Sequence, residues 1–60
     1  MAEYRIVEEF DEEGKPVKRK YKIVEDRIDE KTGARITRML LIAEQTPEDA
    51  KKGVWKYYGV

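Results

Sequence analysis

The stretch Ile36-Thr37-Arg38-Met39-Leu40-Leu41-Ile42-Ala43 decides how this chain folds. Laid out as an extended segment, it turns Ile36, Leu40 and Ile42 to one side and Met39, Leu41 and Ala43 to the other. Every other candidate strand is apolar on one side at most. A strand apolar on both faces belongs at the centre of a sheet, or where a sheet curls over itself.

Working toward the N-terminus, Asp29-Glu30-Lys31-Thr32-Gly33 reads as a hairpin turn, with Gly33 in the left-handed position. Pairing Asp29 with Ala34 then sets Glu25 opposite Arg38, Val24 opposite Met39, Ile23 opposite Leu40 and Tyr21 opposite Ile42. The partner strand, Val17 to Ile28, is long. Val17, Tyr21 and Ile23 share one parity, and Val24 and Ile28 the other, so a bulge or sharp bend is predicted between Ile23 and Val24. Before it, Glu12-Glu13-Gly14-Lys15 forms another turn, and Pro16, which cannot donate to a ladder, starts the strand. The first strand is Ala2 to Asp11, with Tyr4, Ile6 and Phe10 on its apolar side. A four-residue loop pairs Phe10 with Val17, Glu9 with Lys18, Glu8 with Arg19, Ile6 with Tyr21 and Tyr4 with Ile23, so that apolar meets apolar and acid meets base. Gly14 also permits a shorter loop.

Toward the C-terminus, Thr46-Pro47-Glu48-Asp49-Ala50-Lys51-Lys52-Gly53 spells a short helix. Thr46 is the N-cap, Pro47 takes the first helical position, and Gly53 ends the helix. Acids at its start and lysines at its end suit the helix dipole. Val54 to Val60 is the last strand, carrying Trp55, Tyr57 and Tyr58. About eight residues are too few for a parallel crossover, so this strand runs antiparallel to the third. It can lie beside strand three as a meander, or cross the open end and pair with strand one; the second, order 4-1-2-3, is preferred because it closes the sheet. The fold class expected is mainly β: a four-stranded antiparallel curled sheet or small barrel, with one short helical turn between strands 3 and 4.

Composition bounds the rest. The chain has 60 residues, which is one domain spanning 1–60, and a chain this size buries only about 60% of its unfolded surface. Thirteen basic and 13 acidic residues leave a net charge of zero, so no global field draws it to nucleic acid or membrane. No apolar run approaches the ~18 residues of a membrane span, and no targeting signal is visible. A soluble protein is expected, cytoplasmic if made in a cell. With no Cys and no His there is no disulfide, no thiolate or imidazole metal ligand, and the side chain best suited to proton transfer near neutral pH is missing, though carboxylates alone could hold a hard cation. Ser and Asn are also missing, and Gln occurs once. Hyperthermophile proteins and designed proteins share that profile.

Two resemblances follow from these residues. The bent hairpin strands, the Thr46–Gly53 turn and Val54-Trp55-Lys56-Tyr57-Tyr58 as a closing strand resemble the small β-barrels of the SH3-like and OB-like kinds. The tryptophan pair and proline-binding tyrosines of a peptide-binding SH3 domain are not laid out here, and an OB fold would need a fifth strand. The idealised junctions Asp-Glu-Glu-Gly-Lys-Pro, Asp-Glu-Lys-Thr-Gly and Thr-Pro-Glu-Asp-Ala-Lys-Lys-Gly, with Lys and Glu alternating on outward positions, resemble de novo designed small proteins. That resemblance implies a thermostable structural scaffold with no native biochemical activity.

The alternative is a binding module, for a peptide through an exposed strand edge or for single-stranded nucleic acid. Lys18, Lys20 and Lys22 would track the phosphates, and Trp55 and Tyr57 would stack on bases. The plainer reading of the lysines is a solvated face opposed by Glu8 and Glu9, and the plainer reading of the aromatics is a core. Nucleic acid is therefore not the expected partner, and none is required. An exposed edge on strand three or four offers pairing between copies. Glu8, Glu9, Asp11, Glu12 and Glu13 lack the spacing of a metal loop and read as surface acids. No enzyme, catalytic residue, metal or cofactor is expected.

Overall fold

The computed structural model describes residues 2–59. Four strands, β1 (Tyr4–Phe10), β2 (Pro16–Ile28), β3 (Arg35–Gln45) and β4 (Lys56–Tyr57), and one helix, α1 (Pro47–Lys52), follow in chain order. All neighbouring strands pair antiparallel, and their spatial order is β1-β2-β3-β4. β4 runs antiparallel to β3 as expected, but beside it rather than beside β1. The 4-1-2-3 order is thus corrected to a plain meander, and with it the curled sheet, the small barrel and the likeness to SH3-like and OB-like folds. β1 and β4 lie at opposite edges of an open sheet. The molecule measures 46 × 27 × 17 Å, the long axis being roughly the ~43 Å that thirteen extended residues of β2 span. Its radius of gyration is 14.5 Å, against about 10 Å for a compact domain of this length.

The local signals place the turns and the helix. Gly14, Gly33 and Gly53 have φ of 79°, 74° and 70°, the left-handed conformation that glycine adopts without penalty. Asp29 N–H donates to the Ala34 carbonyl at 2.8 Å, closing the second hairpin where the sequence places it. Thr46 Oγ1 accepts from Asp49 N–H at 3.2 Å, and Asp49 Oδ2 accepts from Thr46 N–H at 3.1 Å, a reciprocal cap. At the other end, Gly53 N–H reaches the Ala50 carbonyl and Val54 N–H the Asp49 carbonyl, so the last turn is closed too.

The first hairpin differs from expectation by one residue. Asp11 N–H donates to the Lys15 carbonyl at 2.9 Å, and Asp11 Oδ1 accepts from the N–H groups of Glu13 and Lys15. Only Glu12, Glu13 and Gly14 remain in the loop, so the shorter turn is the one formed. Phe10 now faces Pro16, Glu9 faces Val17, Ile6 faces Lys20 and Tyr4 faces Lys22. Because side chains alternate with period two, a slip of one residue moves a whole parity to the other face. Tyr4, Ile6 and Phe10 therefore share a face with Lys18, Lys20 and Lys22, and all three are exposed.

Between β2 and β3 the pairing Glu25–Arg38 stands as expected, and the predicted irregularity falls at Val24, which has no partner. Past it, Ile23 pairs with Met39 and Tyr21 with Leu41, one residue off the expected register. A second irregularity at Ile42 restores the original count, so that Lys20 pairs with Ala43. The central apolar run is not enclosed: Met39 and Leu40 are exposed, and the fully or nearly buried apolar residues among those described are Val17 and Ala43. β4 pairs only at Lys56 and Tyr57 rather than over Val54 to Val60, of which Val60 lies outside the described residues.

Candidate nucleic-acid interface

The two faces of the sheet handle charge differently. On the face bearing Val17, Arg19 and Tyr21, two carboxylates hold the arginine and the tyrosine of β2. Arg19 Nε donates to Glu44 at 2.8 Å and its Nη1 to Glu9 at 3.2 Å, while the Tyr21 hydroxyl donates to Glu9 at 2.8 Å. The hydrogen bond to Glu44 raises Arg19 above its ordinary pKa, and the bond to Glu9 raises Tyr21.

The opposite face carries Lys18, Lys20 and Lys22, at alternate positions of β2. Glu8, expected to offset them, lies opposite Lys18, while Glu9 has turned to the other face to serve Arg19 and Tyr21. Among the described residues, none of the three lysines comes within 4.0 Å of a carboxylate. The one-residue shift in β1 thus sets Glu8 in place of Glu9 opposite Lys18, and only Glu9 leaves the lysine face.

The aromatic residues meet the lysines on this face. Lys20 pairs with Ala43, and Ala43 with Tyr57, which sets Ile6, Lys20, Ala43 and Tyr57 in one row across all four strands. Ala43, fully buried, is small enough to let its longer neighbours lean together above it. Lys20 Nζ lies 5.1 Å from the Tyr4 ring centre, 5.7 Å from that of Trp55 and 5.3 Å from that of Tyr57, within cation–π range of all three. It also donates to the Tyr57 hydroxyl at 3.0 Å. The segment bearing Trp55 is fixed by Gln45 Nε2, which donates to the Val54 carbonyl at 3.0 Å. Tyr57 is 52% exposed and Trp55 half-buried, so the rings form an open wall rather than a core.

Lys18, Lys20, Lys22, Trp55 and Tyr57 thus occupy one surface. Tyr4 joins them, a residue the sequence reading assigned to the core side. The signal that could have found it is Gly14, which allows the shorter loop. An open pocket of ≈ 210 Å³ adjoins this surface, lined by Glu8, Lys18, Gln45 and Thr46 among others. No group of three or more acidic side chains among the described residues is placed to hold a metal ion. No helix among them is long and apolar enough to cross a membrane. Comparison with protein-family models, curated proteins and solved structures finds no match.

Proposed function

We propose that this protein binds single-stranded nucleic acid on the face formed by Lys18, Lys20, Lys22, Tyr4, Trp55 and Tyr57. The observation that carries this reading is Lys20 set among the rings of Tyr4, Trp55 and Tyr57, with Lys18 and Lys22 exposed beside it on the same face of β2. A single strand offers phosphates to the ammonium groups and unstacked bases to the rings, and each base–aromatic stack contributes about 1–3 kcal/mol. A duplex hides its base faces and would engage only the lysines. Zero net charge limits long-range attraction, so binding is local and weakens quickly with salt.

The test is titration with a homopolymeric deoxythymidine oligonucleotide, read by Trp55 fluorescence over a series of salt concentrations. Quenching is expected, with log K falling against log salt at a slope of about −2, the value for three lysines on a single strand. Lys18→Gln with Lys22→Gln should reduce the slope, and Tyr57→Ala should weaken binding with the slope kept. An absence of binding at the lowest salt would remove the reading.

A further inference from the structure

The sheet has two incompletely covered edges, and they are protected to different degrees. β1 covers β2 as far as Lys22, with Ile23 N–H reaching on to the Glu3 carbonyl at 3.0 Å. The outer side of β2 beyond it is open, but carries the irregularity at Val24 and then Glu25, Asp26 and Arg27 in succession. Bulges and charges of this kind discourage edge pairing. β4 covers β3 only at Ala43 and Glu44, with Tyr58 N–H reaching the Ile42 carbonyl at 2.8 Å. The outer side of residues 35–41 is therefore open as well. That stretch, Arg35-Ile36-Thr37-Arg38-Met39-Leu40-Leu41, has no proline, glycine, lysine or bulge. Its two arginines already have acids on β2: Arg35 bonds Asp26 at 2.7 Å, and Arg38 lies 3.7 Å from Glu25. The charge left on this edge is that of the two arginines, each set beside an acid of β2.

The chain as a whole also leaves more surface open than a compact monomer of its size. The chain exposes 5161 Å², whereas a compact monomer of 7.1 kDa exposes about 4,100 Å². The surplus of about 1,000 Å² exceeds the ~800 Å² that each partner gives to an interface of ordinary size.

We propose that a second copy of this chain pairs with the open edge of β3, joining two sheets into one across a two-fold axis. The two-fold makes the pairing antiparallel. Centring it on Met39 sets Thr37 against Leu41 of the partner subunit and keeps Arg38 from facing its own copy, as it would in a register centred on Arg38. The contact runs along an edge, clear of the lysine column on β2.

Sedimentation equilibrium on the intact chain tests this. The expected mass is twice 7.1 kDa. Met39→Lys should raise the dissociation constant by about tenfold or more, because the two-fold sets the new charge against itself. Val24→Lys, on the already blunted edge, should leave the mass unchanged. Amide exchange on the unmodified protein locates the contact without relying on any variant: the amides of residues 37–41 that point away from β2 should be protected at high concentration and exchange freely on dilution. A single-chain mass at every concentration, with the strand spectrum intact, would overturn the proposal. So would a dimer in which the outward amides of residues 37–41 exchange freely at every concentration.

Discussion

At the scale of single residues, Thr46 shows how much one side chain fixes. Its hydroxyl and the Asp49 carboxylate bond each other's backbone N–H groups, and Pro47 occupies the first helical position without loss of a donor. Replacing Thr46 by Ala should cost about 1 kcal/mol, seen as a lower urea midpoint, and Thr46→Asp should recover most of it. The pH profile is set at this scale too. Asp26 sits below its ordinary pKa because Arg35 bonds both its oxygens, at 2.8 and 2.7 Å. Glu25 is lowered chiefly by Arg27, and Asp49 chiefly by the backbone N–H of Thr46. A carboxyl held low in the fold stabilises it fully above the unfolded value of about 4, and the contribution is lost as pH falls through the lower folded value. Tyr21, raised by its bond to Glu9, stabilises the fold fully below the unfolded value of about 10, and that contribution is lost as pH rises through the folded value. The urea midpoint should therefore be flat between about pH 5 and pH 9 and fall on both sides. Tyr21→Phe should flatten the alkaline limb and Asp49→Asn part of the acid limb. A midpoint that rises on acidification would contradict the assignment. Features of this size were legible in the sequence because cap, turn and dipole preferences involve neighbours in the chain.

Elements were legible in kind and less so in register. The irregularity at Val24 was signalled by a change of apolar parity within β2, whereas the one at Ile42 lies in a run apolar on both sides, where no parity changes. Hydrophobic alternation favours the register that sets apolar against apolar between β1 and β2, but a three-residue loop ending in Gly14 at φ 79° imposes the other. The slip is what carries Tyr4, Ile6 and Phe10 onto the lysine face, so the candidate site depends on a turn rather than on its own residues. Nothing lies within 4 Å of where a Cβ on Gly14 would stand, so a side chain there meets only the backbone penalty. Gly14→Ala should accordingly destabilise by about 1–2 kcal/mol, and Gly14→Asn by less, since Asn tolerates the left-handed region. Urea midpoints of the two variants would show the order. Equal loss in both would mean that the loop does not hold this conformation in solution.

On the scale of the whole molecule, the sequence could not distinguish an open sheet from a closed one. Closure depends on whether β4 reaches β1, and apolar alternation is the same in both outcomes. β4 pairs over two residues, too few to close a barrel, and the long hairpin of β2 and β3 extends beyond the strands on either side. An unfolded chain of 7.1 kDa exposes about 10,300 Å², so a folded surface of 5161 Å² means that about half is buried, short of the ~60% usual at this size. A single copy should thus be marginal, and pairing at the β3 edge should add to its stability. The thermal midpoint of the unmodified protein should then rise with protein concentration, because mass action favours the species that binds only when folded. In Met39→Lys the midpoint should be lower and independent of concentration, with a urea m-value near the low end for small proteins, about 1 kcal/mol/M, as befits the small area it exposes on unfolding. A concentration-independent midpoint in the unmodified chain would mean instead that the open sheet is stable alone. Its half-buried arginine network, Glu9–Arg19–Glu44, would then have to support more of the fold than its apolar residues do.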